Sequence, residues 1–66
     1  MFYNSEMNQP TLTQLKRLYL LSYTLTNVMF QPIHIIRLDE RNQNLFILAG
    51  HEENIEIVIT PSGEVL

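Results

Sequence analysis

Residues 11–30 read TLTQLKRLYLLSYTLTNVMF, and the period of their apolar side chains decides how the rest of the chain must fold. At about 100° per residue, Leu15, Leu18, Leu21, Ser22, Leu25, Val28 and Met29 fall in one broad stripe. Thr13, Lys16, Thr24 and Asn27 lie opposite, which is the pattern of an amphipathic helix. Thr11 followed by Gln14 fits a capping box, in which each side chain satisfies an otherwise orphan N–H group. Pro10 prevents the helix from extending backwards. Gln31-Pro32 ends it, because the residue before a proline is pushed out of the right-handed helical region.

Two features do not belong to a single buried stripe. Leu20 sits on the polar side, and Leu12, Tyr19, Tyr23 and Phe30 form a mostly aromatic flank beside the main stripe. The ordinary account of that flank is the edge of the core with its rings half exposed. The sharper account is a second contact face for a partner, since contiguous exposed apolar surface marks interaction sites.

Three runs rich in β-branched and aromatic residues come next, each bounded by turn formers. They span residues 33–38, 45–49 and 54–60, with polar turns at Asp39–Asn44 and Gly50–Glu53. Pro61-Ser62-Gly63 is a further turn signal, after which residues 64–66 have room to fold back as a short fourth strand. The connections are too short for parallel crossovers, so the sheet is expected to be antiparallel. The predicted fold is therefore α+β: one N-terminal helix, residues 11–30, packed on a three- or four-stranded antiparallel β-meander. Residues 11–66 form the single domain. Residues 1–10 show no period and read as a flexible or loosely docked arm, with Phe2, Tyr3 and Met7 as the side chains that would cover apolar surface if it docks.

The strand faces carry the next inference. Ile55, Ile57 and Ile59 alternate with Glu56 and Thr60, as a half-buried strand should. The first two strands are apolar on both faces: Ile33 and Ile35 oppose Ile36 and Leu38, and Leu45 and Ile47 oppose Phe46 and Leu48. One helix covers only one face. A helix of about 19 residues is also roughly 28 Å long, against about 20 Å for a six-residue strand, so one end should overhang. Leu12, Tyr19, Tyr23 and Phe30 on the helix, with Ile36, Leu38, Phe46 and Leu48 on the sheet, are the candidate interface residues, and a homodimer or a small protein partner is the expected occupant.

Composition bounds the rest. A chain of 66 residues is one domain, and domains this small are marginally stable alone. It has no cysteine, which excludes disulfides and thiolate metal sites. Charged residues are only 17% of the chain against 45% hydrophobic, fewer charges than the roughly 25% of ordinary domains. That argues against disorder and for apolar surface covered by another chain. Net charge is −3, and the 4 basic residues, Lys16, Arg17, Arg37 and Arg41, are too scattered to track phosphates, so autonomous nucleic-acid binding is not expected. The N-terminus has neither the basic nor the apolar region of a signal peptide. Leu18–Phe30 is too short and too polar for a bilayer span, which needs about 20 apolar residues. A cytoplasmic protein is the expectation.

No constellation of catalytic residues stands out. His34 lies inside a strand and reads as a packing or hydrogen-bonding residue. His51 beside Glu52 and Glu53 lacks the second histidine at helical spacing that a zinc-protease motif requires. Asp39 and Glu40 lie in a hairpin turn, where nothing desolvates their carboxylates for acid–base work. Ser22 has no histidine at a suggestive spacing, and Gly50 and Gly63 make no phosphate loop. The reading is a protein that is not an enzyme, without metal or cofactor.

LTQLKRLYLLSYTLTN, QPIHIIRLDERNQNLFILAG and IEIVITPSGE together resemble a family of short cyanobacterial proteins of unknown function, over most of the chain from Pro10 onward. The resemblance implies a small cytoplasmic protein and no catalytic residues. The leading expectation is a non-catalytic interaction or accessory protein working through apolar and aromatic surface. The alternative is a small regulator, one half of a two-component pair that inhibits its partner or joins a nucleic-acid-binding complex.

Overall fold

Thr11 caps the helix as its sequence predicts. In the computed structural model, which describes residues 9–66, Thr11 is extended, its hydroxyl accepts from the Gln14 N–H at 3.0 Å, and Gln14 Oε1 accepts from the Thr11 N–H at 2.8 Å. The predicted arm residues Phe2, Tyr3 and Met7 lie outside the described residues. Helix α1 runs Leu12–Tyr23. It passes into a π turn, Thr24–Val28, where hydrogen bonds reach one residue further back than in an α-helix. Thr24 marks the change: its hydroxyl donates to the Leu20 carbonyl at 2.9 Å, the same carbonyl its own N–H addresses.

This turn corrects the predicted helix in two ways. An α-helical wheel holds through Leu25 and fails beyond it, because the wider turn rotates the residues after it. Leu18 and Leu25 are buried and Leu21 and Ser22 half-buried, whereas Val28 and Met29 face outward. Leu15, at the stripe's other margin, is 36% exposed. The second correction concerns length. Five of the helical residues lie in the wider π turn, which rises less per residue than an α turn, so the helix is shorter than the roughly 28 Å expected, and Leu25 within that turn still packs in the core.

The sheet is three-stranded and antiparallel in the order β1 (Ile33–Asp39), β2 (Asn44–Ala49), β3 (Ile55–Ile59). Residues 64–66 contribute one bridge, Ile59 to Val65, rather than a fourth strand. Leu45, Ile47, Ala49 and Ile59 are fully buried beneath Leu18 and Leu25, with Leu21, Ile33, Leu38, Ile55 and Ile57 packed around them. Among the described residues, no helix is long and apolar enough to cross a membrane.

Candidate interaction surfaces

Register decides which strand residues reach the surface. Asp39 pairs with Asn44 across the first hairpin, so Leu38 lies opposite Leu45 and Ile36 opposite Ile47. Opposed residues share a face, which places Ile36 and Leu38 on the helix side of the sheet. Phe46 and Leu48 lie on the other side with Val58. The four sheet residues expected to form one surface therefore divide between two, and Leu38 belongs to the rim of the core. Both strands are apolar on both faces, so alternation alone did not choose between registers one residue apart.

An irregularity between Ile33 and Ile35 makes a second correction. A bulge there turns Ile33 to the core side with Ile36 and Leu38, and Ile35 to the outer side with Arg37. His34 sits at the bulge and donates from Nε2 to the Gly50 carbonyl at 2.8 Å, tying the start of β1 to the end of β2. It is a hydrogen-bonding residue, as its position in the sequence suggested. On the outer face the Arg37 guanidinium lies 5.5 Å from the Phe46 ring centre, a cation–π contact. Phe46, Leu48 and Val58 there are half-buried.

The helix carries the larger exposed patch. Leu12 and Tyr19 are 68% and 67% exposed, and Tyr23 more than half. They lie at i, i+7 and i+11, on one side of α1 that is turned well away from the buried stripe of Gln14, Leu18, Leu21 and Leu25. The Tyr19 and Tyr23 rings are tilted against each other, their centres 6.4 Å apart. Leu15, Lys16, Tyr19 and Leu20 line an open, almost wholly apolar depression of about 500 Å³ on this side.

Phe30 does not continue that flank. It comes after the π turn at φ 55, the left-handed region that a bulky side chain rarely enters. The Gln31 N–H donates to the Leu25 carbonyl at 2.7 Å. His51 clamps the knuckle from the sheet side, its Nε2 donating to the Phe30 carbonyl and its N–H to Gln31 Oε1, both at 3.2 Å. The Phe30 ring itself is 73% exposed. The sequence places His51 in the polar turn Gly50–Glu53; its role in holding this knuckle depends on a long-range contact.

Gln14 was legible only as half of a cap. Its side chain is 1% exposed, and besides accepting from Thr11 it donates from Nε2 to the carbonyls of Gln43 at 2.8 Å and Ile59 at 3.0 Å. The Thr11 hydroxyl donates in turn to the Pro61 carbonyl, and Arg17 Nε to the Gly63 carbonyl. The start of the helix is thus bound to the β1–β2 turn, the end of β3 and the C-terminal turn, and its aromatic side is held in a fixed pose.

Among the described residues, titratable groups form no comparable centre. Asp39 and Arg41 make a two-pronged pair at 3.0 and 3.1 Å, and Arg41 also donates its backbone N–H to the same carboxylate. These bonds hold the Asp39 carboxyl below the usual carboxylate range and raise the Arg41 guanidinium above its own. Among the described residues, no three of His, Cys, Asp and Glu gather as a metal-holding group.

These features define a small α+β domain whose helix is anchored at one end and presents an apolar, aromatic side to solvent. Residues 9–66 match the model of a family described as a domain of unknown function, DUF6888, and the chain belongs to that family. No curated protein matches the chain. No solved structure matches it.

Proposed function

We propose that this chain is a non-catalytic interaction or accessory module that acts on partners through apolar and aromatic surface, and that it does so as a homodimer. The observation that carries the reading is the side of α1 bearing Leu12, Tyr19 and Tyr23, exposed and turned away from the stripe that packs the core. Surface of this kind costs solubility and contributes little to folding, so a partner accounts for it. Tyrosine suits such a role, offering a large apolar body with a polar tip. The anchoring of the helix start by Gln14, Thr11 and Arg17 limits the ordering cost of docking.

A second reading has its own support. The described Asp and Glu residues, Asp39, Glu40, Glu52, Glu53, Glu56 and Glu64, all lie after the helix, where Arg37 and Arg41 are the cations set against them. An excess of carboxylates in the sheet half of the chain suits a basic partner, as in a regulator that is one half of a pair. The resemblance to short cyanobacterial proteins belongs to the same proposal and names the cells in which to look.

The test is affinity capture from such cells with wild-type chain and with a Tyr19→Ser, Tyr23→Ser variant, followed by mass identification. A partner retained by the first and lost by the second, with thermal melts unchanged, is the expected result. Equal retention by both variants counts against the aromatic side.

A further inference from the structure

The two edges of the sheet are not alike. At the outer edge of β3 the C-terminal segment folds back, with Val65 bridging Ile59 and the Leu66 N–H donating to the Val58 carbonyl at 2.9 Å. Among the described residues, nothing pairs with the outer edge of β1. An unpaired strand leaves a row of N–H and C=O groups at the strand repeat, and proteins guard such edges with proline, charged side chains, bulges or very short strands. Strand β1 has seven residues and no proline, and its one cation, Arg37, is drawn over the Phe46 ring on the outer face. Its bulge protects only the beginning, leaving Ile35–Asp39 regular. Ile35 on the outer face and Ile36 on the helix side are 43% and 39% exposed.

We infer that β1 is the seam of the homodimer, pairing antiparallel with β1 of a second copy across a two-fold axis to make a continuous six-stranded sheet. The inference rests on the homodimer proposed above and names its contact. A row of main-chain donors and acceptors is complementary to a strand rather than to a helix or a small molecule. Net charge permits a second copy as that strand. Residues 33–39 hold one cation, Arg37, and one anion, Asp39, so each strand is neutral, and the two Arg37 side chains that come together near the axis each lie over their own Phe46 ring on the outer face. Antiparallel pairing sends the two Asp39 residues to opposite ends of the seam, each already engaged by its own Arg41. Glu56 lies two strands away from the seam in each copy. The two Glu56 residues are then five strand spacings apart, about 24 Å, well beyond a screening length of about 8 Å at physiological salt. Joining the copies at β1 therefore keeps an acidic chain's carboxylates apart, and it leaves both aromatic helix sides free for partners.

Light scattering on the full chain at high micromolar concentration tests the seam, with Ile36→Lys and Tyr19→Lys beside wild type. The expected result is twice the 7.8 kDa chain mass for wild type and Tyr19→Lys, and a folded monomer for Ile36→Lys, because an edge lysine opposes its own copy across the axis. A dimer broken by Tyr19→Lys and untouched by Ile36→Lys overturns the seam and leaves the homodimer standing. A wild-type monomer overturns both. Should Ile36→Lys fail to fold, amide exchange of wild type decides: protection at Ile35–Leu38 that rises with chain concentration supports the seam, and protection there that is independent of concentration overturns it.

Discussion

The carboxamide of Gln14 donates to the main-chain carbonyl of Ile59 at 3.0 Å, tying the first turn of the helix to the last residue of β3. The same nitrogen reaches the Gln43 carbonyl, and the carboxamide oxygen takes the Thr11 N–H. One buried polar side chain thus satisfies three backbone groups from three parts of the chain.

Removing it should be expensive for its size. Gln14→Leu keeps the volume apolar but leaves the buried Ile59 carbonyl without its partner, which costs about 1–3 kcal/mol, and removes the part-buried bonds to the Thr11 N–H and the Gln43 carbonyl. Thr11→Ala, which removes the cap from the other side, should cost about 1 kcal/mol. Urea unfolding of the two variants should rank them in that order, and the reverse order would show that the cross-links to Gln43 and Ile59 contribute nothing.

Leu18 and Tyr23 offer a sharper contrast along one helix. Leu18 is 7% exposed in the core cluster with Leu45, Ile47 and Ile59, while Tyr23 is 53% exposed. Leu18→Ala should lose about 2–5 kcal/mol through lost burial and the cavity left behind, enough to unfold a domain this small. Tyr23→Ala should lose under about 1 kcal/mol, as surface changes do. A larger loss at Tyr23 than at Leu18 in chemical denaturation would refute the orientation of the helix.

Much of this fold was legible because its signals are local. The capping box at Thr11 and Gln14, the break at Pro32 and the alternation in β3 each depend on residues within one turn or one strand. The features that were not legible depend on contacts distant in sequence or on geometry that a fixed period cannot express. The π turn after Tyr23 defeats any wheel drawn at a constant angle, which is why Val28 and Met29 were assigned to the core. The hairpin register was open because Ile36, Leu38, Phe46 and Leu48 are apolar wherever they point. Of the candidate interface, Leu12, Tyr19 and Tyr23 share one helix side, while Phe30 stands apart on its knuckle and Leu38 is core rim. The open edge of β1 comes from strand order, which a meander implies but hydropathy does not report.

Gly63 should resist substitution for two independent reasons. Its φ of 91° lies where an L side chain is strained, and an added Cβ would come within 2.4 Å of Thr13 Cγ2. Gly63→Ala should therefore destabilise by about 1–2 kcal/mol from the backbone alone, with more from the displaced helix start. The companion change Thr13→Ser removes the methyl group, so the double variant should recover the steric part and not the backbone part. Thermal melts of the single and double variants separate the two.

The Asp39–Arg41 pair gives a pH dependence of known sign. The carboxyl is depressed in the folded chain by its bonds to Arg41, so its contribution to stability is complete above the ordinary carboxylate range, near 4. That contribution is lost as pH falls through the depressed value. Both groups face water, so the effect is small and weakens with salt. In Arg41→Gln the Asp39 titration followed by NMR should move up toward the ordinary value, and the stability difference from wild type should vanish in acid. A difference that persists at low pH would mean that Arg41 acts through its aliphatic stem instead.

Phe30 is the position where stability and use should part. A left-handed conformation costs an L residue about 1–2 kcal/mol, and helices usually place glycine just past the C-cap for this reason. The Phe30 ring recovers little of that cost, since most of it faces solvent, while its carbonyl is held by His51 whatever the side chain is. Phe30→Gly should therefore raise stability by about 0.5–1 kcal/mol once the flexibility of glycine in the unfolded chain is deducted. A strained residue kept against such a gain points to a role in contact, and partner capture by Phe30→Gly should fall as the melt rises. If the variant is instead less stable than wild type, the ring belongs to the fold, and the knuckle carries no argument for binding.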